Sequence, residues 1–173
     1  MFRYTFILCA LIGNSLTVHA RDWWVDDALL GALPLTAVWM TFSNEDREGR
    51  FQLAKSVGFN TLAVVALKKT VDKERPNGYC CDAFPSGHTS TAFVSAGFIH
   101  RRYGLRAALP AYVVATSVGY ARVDDDKHSP EDVVAGAAIG FLSSWVLTSR
   151  YENTQIAPIM QKNFFGLQVS GRF

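Results

Sequence analysis

Apolar residues in this chain fall into separated runs, at 28–42, 57–67, 91–99, 107–121 and 133–148, with a shorter run at 6–12. Charged residues collect in the short segments between them. Long apolar runs with polar connections predict helices rather than strands, so the expected fold is an all-α bundle of five to six helices. None of the runs clearly reaches 18 residues without a charge. Each therefore reads equally as a membrane helix or as a helix buried in a soluble bundle. Gly136 and Gly140 stand four apart on one face of the last run, where two backbones can approach closely in lipid or in a packed core.

The chemistry lies in three clusters between these runs. Lys68 precedes Arg75-Pro76 by seven positions, Ser86-Gly87-His88 follows Pro85, and Arg122, His128 and Asp132 are spaced by six and then four. Three cations, two imidazoles and a carboxylate are what a metal-free site needs to bind a phosphate and attack it. Charge on a phosphoryl group in transfer is met by fixed cations and backbone N–H groups. Arg75 and Arg122 can each grip two phosphate oxygens, and Lys68 supplies a compact charge.

Pro, Ser, Gly and Thr cluster at 85–91 just before an apolar run, which predicts a helix start at Ser86-Gly87. The exposed N–H groups and positive dipole end there form an anion site. His88 is placed to protonate a leaving oxygen. A helix starting near Ser129 or Pro130 would set Asp132 one turn from His128. A carboxylate there fixes the imidazole tautomer and leaves the other nitrogen to attack phosphorus. His128 is thus the expected nucleophile, forming a phosphohistidine that water cleaves.

These clusters resemble the three signature motifs of the type 2 phosphatidic acid phosphatase superfamily, which also contains soluble bacterial acid phosphatases and vanadium haloperoxidases. The family pattern of Lys, six residues, Arg-Pro is matched by Lys68 to Pro76. Pro-Ser-Gly-His is matched by Pro85 to His88. The third motif is matched by Arg122, His128 and Asp132, with Ala121 where the family has Ser. The resemblance covers roughly residues 50–150. It implies His128 as nucleophile, His88 as general acid and Asp132 as the orienting carboxylate. Lys68, Arg75, Ser86, Gly87 and Arg122 would bind phosphate, with no metal or other cofactor. Lys69 and Lys73 are nearby cations, but only Lys68 has the family spacing.

The implied function is hydrolysis of a lipid phosphate of the phosphatidic acid, phosphatidylglycerol phosphate or undecaprenyl pyrophosphate class. A soluble periplasmic acid phosphatase and a non-catalytic lipid-phosphate binding protein are the alternatives. Ala121 forgoes one hydroxyl, worth about 1 kcal/mol as a hydrogen bond. Asp124-Asp125-Asp126 reads as a solvated acidic loop or as a gate for a cationic head group or cation-bridged lipid surface.

The wider chain sets the frame. Its 173 residues suit one domain, and a net charge of +2 gives no case for nucleic acid. Arg3, the apolar run 6–12 and Val18-His19-Ala20 before Arg21 describe a signal peptide cleaved after Ala20, or an uncleaved first membrane helix. Residues 21–150 form the phosphatase-like unit and 151–173 a tail, expected to be disordered or to lie on the surface although its end alternates like a strand. The basic segment 100–106 falls opposite the motifs if the helices alternate, which is the positive-inside pattern. It places the enzyme in the bacterial inner membrane with its site facing the periplasm, the soluble periplasmic form being the alternative. Trp23, Trp24 and Trp39 suit interfacial anchoring or core packing. Cys80-Cys81 is left in an oxidising compartment as free thiols, an internal bond or a bridge between chains.

Overall fold

The computed structural model describes residues 23–151, 154–161 and 164–171. The predicted leader at 1–20, with Cys9 and His19, lies outside them, as do the side chains of Trp23 and Trp24. Five α-helices follow in order, α1 (Trp23–Ser43), α2 (Arg47–Thr70), α3 (Gly87–Tyr103), α4 (Leu105–Asp124) and α5 (Pro130–Leu147). Each contains one of the five long apolar runs, apart from Thr148 at the end of the last. The all-α bundle is as expected.

Local signals set the helix ends. Asp46 caps α2 by accepting from the Gly49 amide at 2.8 Å, with Glu48 in the first turn and Lys68 and Lys69 in the last. Those charges complement the helix dipole. Ser86 caps α3, and Ser129 with Asp132 forms a capping box ahead of Pro130, the first residue of α5. Between α3 and α4 the chain turns on Gly104, whose φ of 96° is open to glycine at little cost.

α3 runs through the middle of the bundle, packed against α5, α4, α2 and α1. A close approach between α3 and α5 depends on the two glycines singled out above. A methyl group at Gly136 would collide with the Ser86 carbonyl, and one at Gly140 with the Ser90 carbonyl and Val94 amide. Alternation of the helices puts the end of α2, the start of α3, the end of α4 and the start of α5 at one end of the bundle. The basic α3–α4 connection lies at the other, together with the buried Asp46, which accepts from Arg102 at 2.6 and 2.7 Å and from Tyr103 at 2.9 Å.

The interior mixes an apolar core, with Leu33, Leu53, Phe98, Ile99 and Val118 in one cluster, and buried polar side chains. Thr41, Ser56, Asn60, Ser90, Ser95, Ser143 and Ser144 are buried. Several tie helices together: Asn60 donates to Ser90 at 3.3 Å, the Ser56 and Thr148 hydroxyls meet at 3.3 Å, and Gln52 donates to Ser149 at 2.9 Å. Large apolar side chains also face outward, among them Leu35, Trp39 and Phe42 on α1, Phe59 and Leu62 on α2, Leu109 and Val113 on α4, and Leu142 and Val146 on α5. No described helix is long and apolar enough to cross a membrane.

The tail departs from the expectation of a loose segment. Thr154–Gln161 (β1) and Phe164–Gly171 (β2) pair antiparallel in register from Thr154 opposite Gly171 to Gln161 opposite Phe164. Only two residues separate the strands, a spacing that favours a hairpin. Period-two alternation in the last residues marked one strand of the pair; Pro158 within the other obscured its partner.

Candidate active site

The three clusters come together where α2 and α4 end and α3 and α5 begin. His128 lies in the short α4–α5 connection, 4% exposed, and its backbone N–H donates to the Arg122 carbonyl at 3.0 Å. Its Nδ1 lies 2.8 Å from the Ala83 carbonyl oxygen. A carbonyl only accepts, so Nδ1 carries the proton and Nε2 keeps its lone pair.

Asp132 stands one helical turn away as expected, but its Oδ2 is 3.8 Å from His128 Nδ1, beyond hydrogen-bond range. The fully buried carboxylate is engaged elsewhere. Oδ2 accepts from the Ser129 amide at 2.9 Å and Oδ1 from Lys73 Nζ at 2.7 Å. Ala83 therefore holds the imidazole directly, and Asp132 acts on it through its charge.

Burial pushes the His128 pKa down to about 4; the Ala83 hydrogen bond opposes this, the charges of Lys68 and Arg75 add to it, and Asp132 pulls the other way. The imidazole is neutral at pH 7. That is the form able to act as a nucleophile.

Lys68, in the last turn of α2, donates from Nζ to the Asp82 main-chain carbonyl and sits 3.9 Å from Asp82 Oδ2. Arg75, on the segment between α2 and α3, donates from Nε and Nη2 to the two Asp82 oxygens at 2.9 and 3.1 Å. Gly87 opens α3 beside Lys68; a side chain there would meet Val64 Cγ1 at 3.7 Å and Lys68 Cε at 3.9 Å. His88 is half-buried on the first turn of the same helix.

Ser86 has a tying role in this arrangement. Its amide donates to the Asp132 carbonyl at 2.9 Å, and its buried hydroxyl meets Thr89 Oγ1 at 2.9 Å. The starts of α3 and α5 are thereby held together, which fixes His88 relative to His128.

Arg122 is buried in the last turn of α4, with Nη2 3.9 Å from Asp125 Oδ2. Asp125 also accepts from Lys127 at 2.9 Å. One of the three consecutive aspartates is thus drawn inward onto two cations, while Asp124 and Asp126 are exposed. Ala121 is buried among the helices.

Three contributors went unread in the sequence. Ala83 acts through a main-chain carbonyl, which carries no residue signature. Asp82 stood three residues before Pro85 as an unremarked acid. Lys73 looked like a competing phosphate ligand, but its ammonium instead joins Ser129 Oγ and Asp132 at 2.7 Å and Glu131 at 3.4 Å. Lys73 is held above its usual pKa, chiefly by the Asp132 bond. Asp72, Cys80 and Cys81 place their polar atoms within 4.8 Å of one another, but the two cysteines are bonded to each other as a disulfide and offer no thiolate to a metal.

Comparison with known proteins gives a consistent picture. Residues 50–156 match the family model of the PAP2 superfamily. The lipid A 1-phosphatase of Porphyromonas gingivalis is 34% identical over 99 residues, 54% of this chain but only 22% of that protein. The lipid A 4'-phosphatase of Helicobacter pylori is 28% identical over 135 residues, 72% of this chain and 68% of that one. Among solved structures, Aquifex aeolicus LpxE superposes with a TM-score of 0.60 at 24% identity, covering 74% of this chain and 87% of its own. A transmembrane PAP2-type phosphatidylglycerolphosphate phosphatase from Bacillus subtilis superposes at 0.55 and 23% identity, covering 74% and 77%.

Proposed function

Because this chain belongs to the PAP2 superfamily, we propose that it is a phosphatase acting on a lipid phosphomonoester or pyrophosphate through a phosphohistidine intermediate. The observation that carries the mechanism is the 2.8 Å contact from His128 Nδ1 to the Ala83 carbonyl. It specifies the tautomer whose Nε2 lone pair is available, on an imidazole lying in the field of Lys68 and Arg75.

In the first step His128 Nε2 forms a bond to phosphorus as the bond to the leaving oxygen breaks, and His88 gives that oxygen a proton. Positive charge developing on the imidazole is met by the Ala83 carbonyl and the Asp132 carboxylate. In the second step water attacks phosphorus, His88 takes its proton, the N–P bond breaks and inorganic phosphate leaves. Lys68, Arg75 and Arg122 meet the charge on the equatorial oxygens throughout. Gly87 contributes an amide at the positive end of α3.

A lipid substrate is supported by the outward apolar side chains and the polar groups buried between helices. That combination suits a bundle whose surroundings are hydrocarbon, where buried Ser, Thr and Asn bind helices together and small residues let them approach. We place the bundle in the bacterial inner membrane, with the basic α3–α4 connection in the cytoplasm and the site at the periplasmic surface. The related phosphatases named for lipid A add a phosphorylated glycolipid to the substrate classes read from the motifs.

The deciding experiment is phosphate release by detergent-purified protein, with EDTA present, across phosphatidic acid, phosphatidylglycerol phosphate, undecaprenyl pyrophosphate, lipid A and p-nitrophenyl phosphate. Lipid turnover that vanishes in His128→Ala supports the reading and ranks the substrates. Turnover confined to the soluble ester points to an acid phosphatase. Phosphate binding without turnover points to a non-catalytic binder.

A further inference from the structure

Two of the cations expected to hold a phosphate already hold a carboxylate. Arg75 presents Nε and Nη2 to the two oxygens of Asp82 at 2.9 and 3.1 Å, the same two-pronged geometry with which a guanidinium grips phosphate. Lys68 closes on Asp82 from the other side, bonded to its carbonyl and 3.9 Å from its Oδ2. The Asp82 side chain is 51% exposed, whereas those of Lys68 and Arg75 are 22% and 27% exposed. The carboxylate therefore covers the cations on their solvent side.

Burial raises the Asp82 pKa, but the Arg75 hydrogen bonds and the charges of Lys68, Arg75 and His128 outweigh it and hold the carboxyl below its usual value. Asp82 is therefore ionised at neutral pH.

On the reading of Lys68 and Arg75 as phosphate ligands, we propose that Asp82 is an internal anion that occupies their phosphate seat in the resting site and must be displaced by the incoming phosphoryl group. In that exchange the two Arg75 bonds to Asp82 break and two to phosphate oxygens form, while the freed carboxylate turns to solvent. Every anion pays the same displacement cost. A phosphate on a lipid anchor has membrane binding to offset it, whereas free inorganic phosphate has not. The exchange itself lowers affinity for anchored and free phosphate by the same factor, leaving their ratio unchanged, and speeds release of the product.

A purely positioning role for Asp82, holding Arg75 in place for substrate, predicts the opposite sign. The test is direct binding of inorganic phosphate to the detergent-purified full chain, by calorimetry at fixed ionic strength, for wild type, Asp82→Asn, Asp82→Ala and Asp72→Asn. Asp72→Asn removes an exposed carboxylate from the same inter-helix segment and controls for the general field. Both Asp82 variants should bind phosphate roughly threefold tighter or more, from the loss of a competing ion pair, with little change in Asp72→Asn. Unchanged or weaker binding in the Asp82 variants overturns the proposal, as does equal tightening in Asp72→Asn or no phosphate binding by any form. The readout needs no turnover, so failure of the phosphatase reading in the lipid assay is seen separately.

Discussion

Lys73 Nζ lies 2.7 Å from Asp132 Oδ1, and the other oxygen of that buried carboxylate lies 3.8 Å from His128 Nδ1. The lysine thus shares the negative charge that would otherwise act on the imidazole alone. It also draws the carboxylate toward the Ser129 turn, leaving the Ala83 carbonyl as the direct partner of Nδ1.

Lys73→Met should therefore raise the His128 pKa and move the acid limb of the kcat/KM profile upward by some tenths of a unit to about one unit, since one unit corresponds to about 1.4 kcal/mol of altered interaction. The charges facing His128 from Lys68, Arg75 and Asp132 are unchanged in the variant. Lys73→Arg should restore the profile. A variant with lower kcat but an unmoved limb would show that Lys73 serves packing alone.

Loss of the His128 imidazole should abolish chemistry. His128→Ala is expected to lower kcat by roughly four orders of magnitude or more, as for other nucleophile deletions. Incorporation of labelled phosphate into wild type but not the variant, on rapid acid quench, would identify the covalent intermediate. Label retained in His128→Ala would move the nucleophile elsewhere.

The depressed His128 pKa has a consequence for stability. Between the ordinary value of 6.5 and about 4, the unfolded chain takes up a proton that the folded site refuses. Stability should fall as pH drops through this window, by at most about 1.4 kcal/mol per unit from this group. His128→Gln should flatten that part of the thermal-unfolding profile measured in detergent. An identical slope in the variant would assign the acid sensitivity to other groups.

Helix packing gives a paired prediction. Gly140→Ala drives a methyl into the Ser90 carbonyl and Val94 amide, which are backbone atoms of α3 and cannot step aside. A destabilisation of about 1–3 kcal/mol is expected. Gly31→Ala, with nothing within 4 Å of the added carbon, should be neutral or stabilising by up to about 1 kcal/mol through helix propensity. Equal thermal shifts in both would show that α3 and α5 do not approach as closely as described.

At the far end of the bundle, Arg102→Met should leave the buried Asp46 carboxylate without its guanidinium partner, at a cost of about 3–5 kcal/mol. Adding Asp46→Asn should recover part of that loss. KM should be unchanged, because the pair is separated from the site by the length of α3; a raised KM in folded protein would reveal coupling between the two ends.

The five long helices were legible because each is a run of apolar residues bounded by capping residues, and those signals are local. The three motif clusters were legible for a similar reason: Lys68 with Arg75, Ser86 to His88, and Arg122 with His128 and Asp132 each carry their chemistry in side-chain type and short spacing. Even the tight contact of α3 with α5 was foreshadowed by Gly136 and Gly140, since only the absence of a side chain permits it.

Tertiary structure alone decided which partners those side chains have. The Ala83 carbonyl that orients His128 is 45 residues away and has no side-chain identity to read. Lys73 and Asp132, 59 residues apart, meet only because α5 begins beside the α2–α3 segment. The pairing of Arg75 with Asp82 depends on how that segment folds back, a balance of turns and charges that spacing does not specify. Sequence by itself determined which chemical groups were present and on which helices they would stand. Packing determined which of them compete for the same charge, because electrostatic partners are chosen by distance in space and not along the chain.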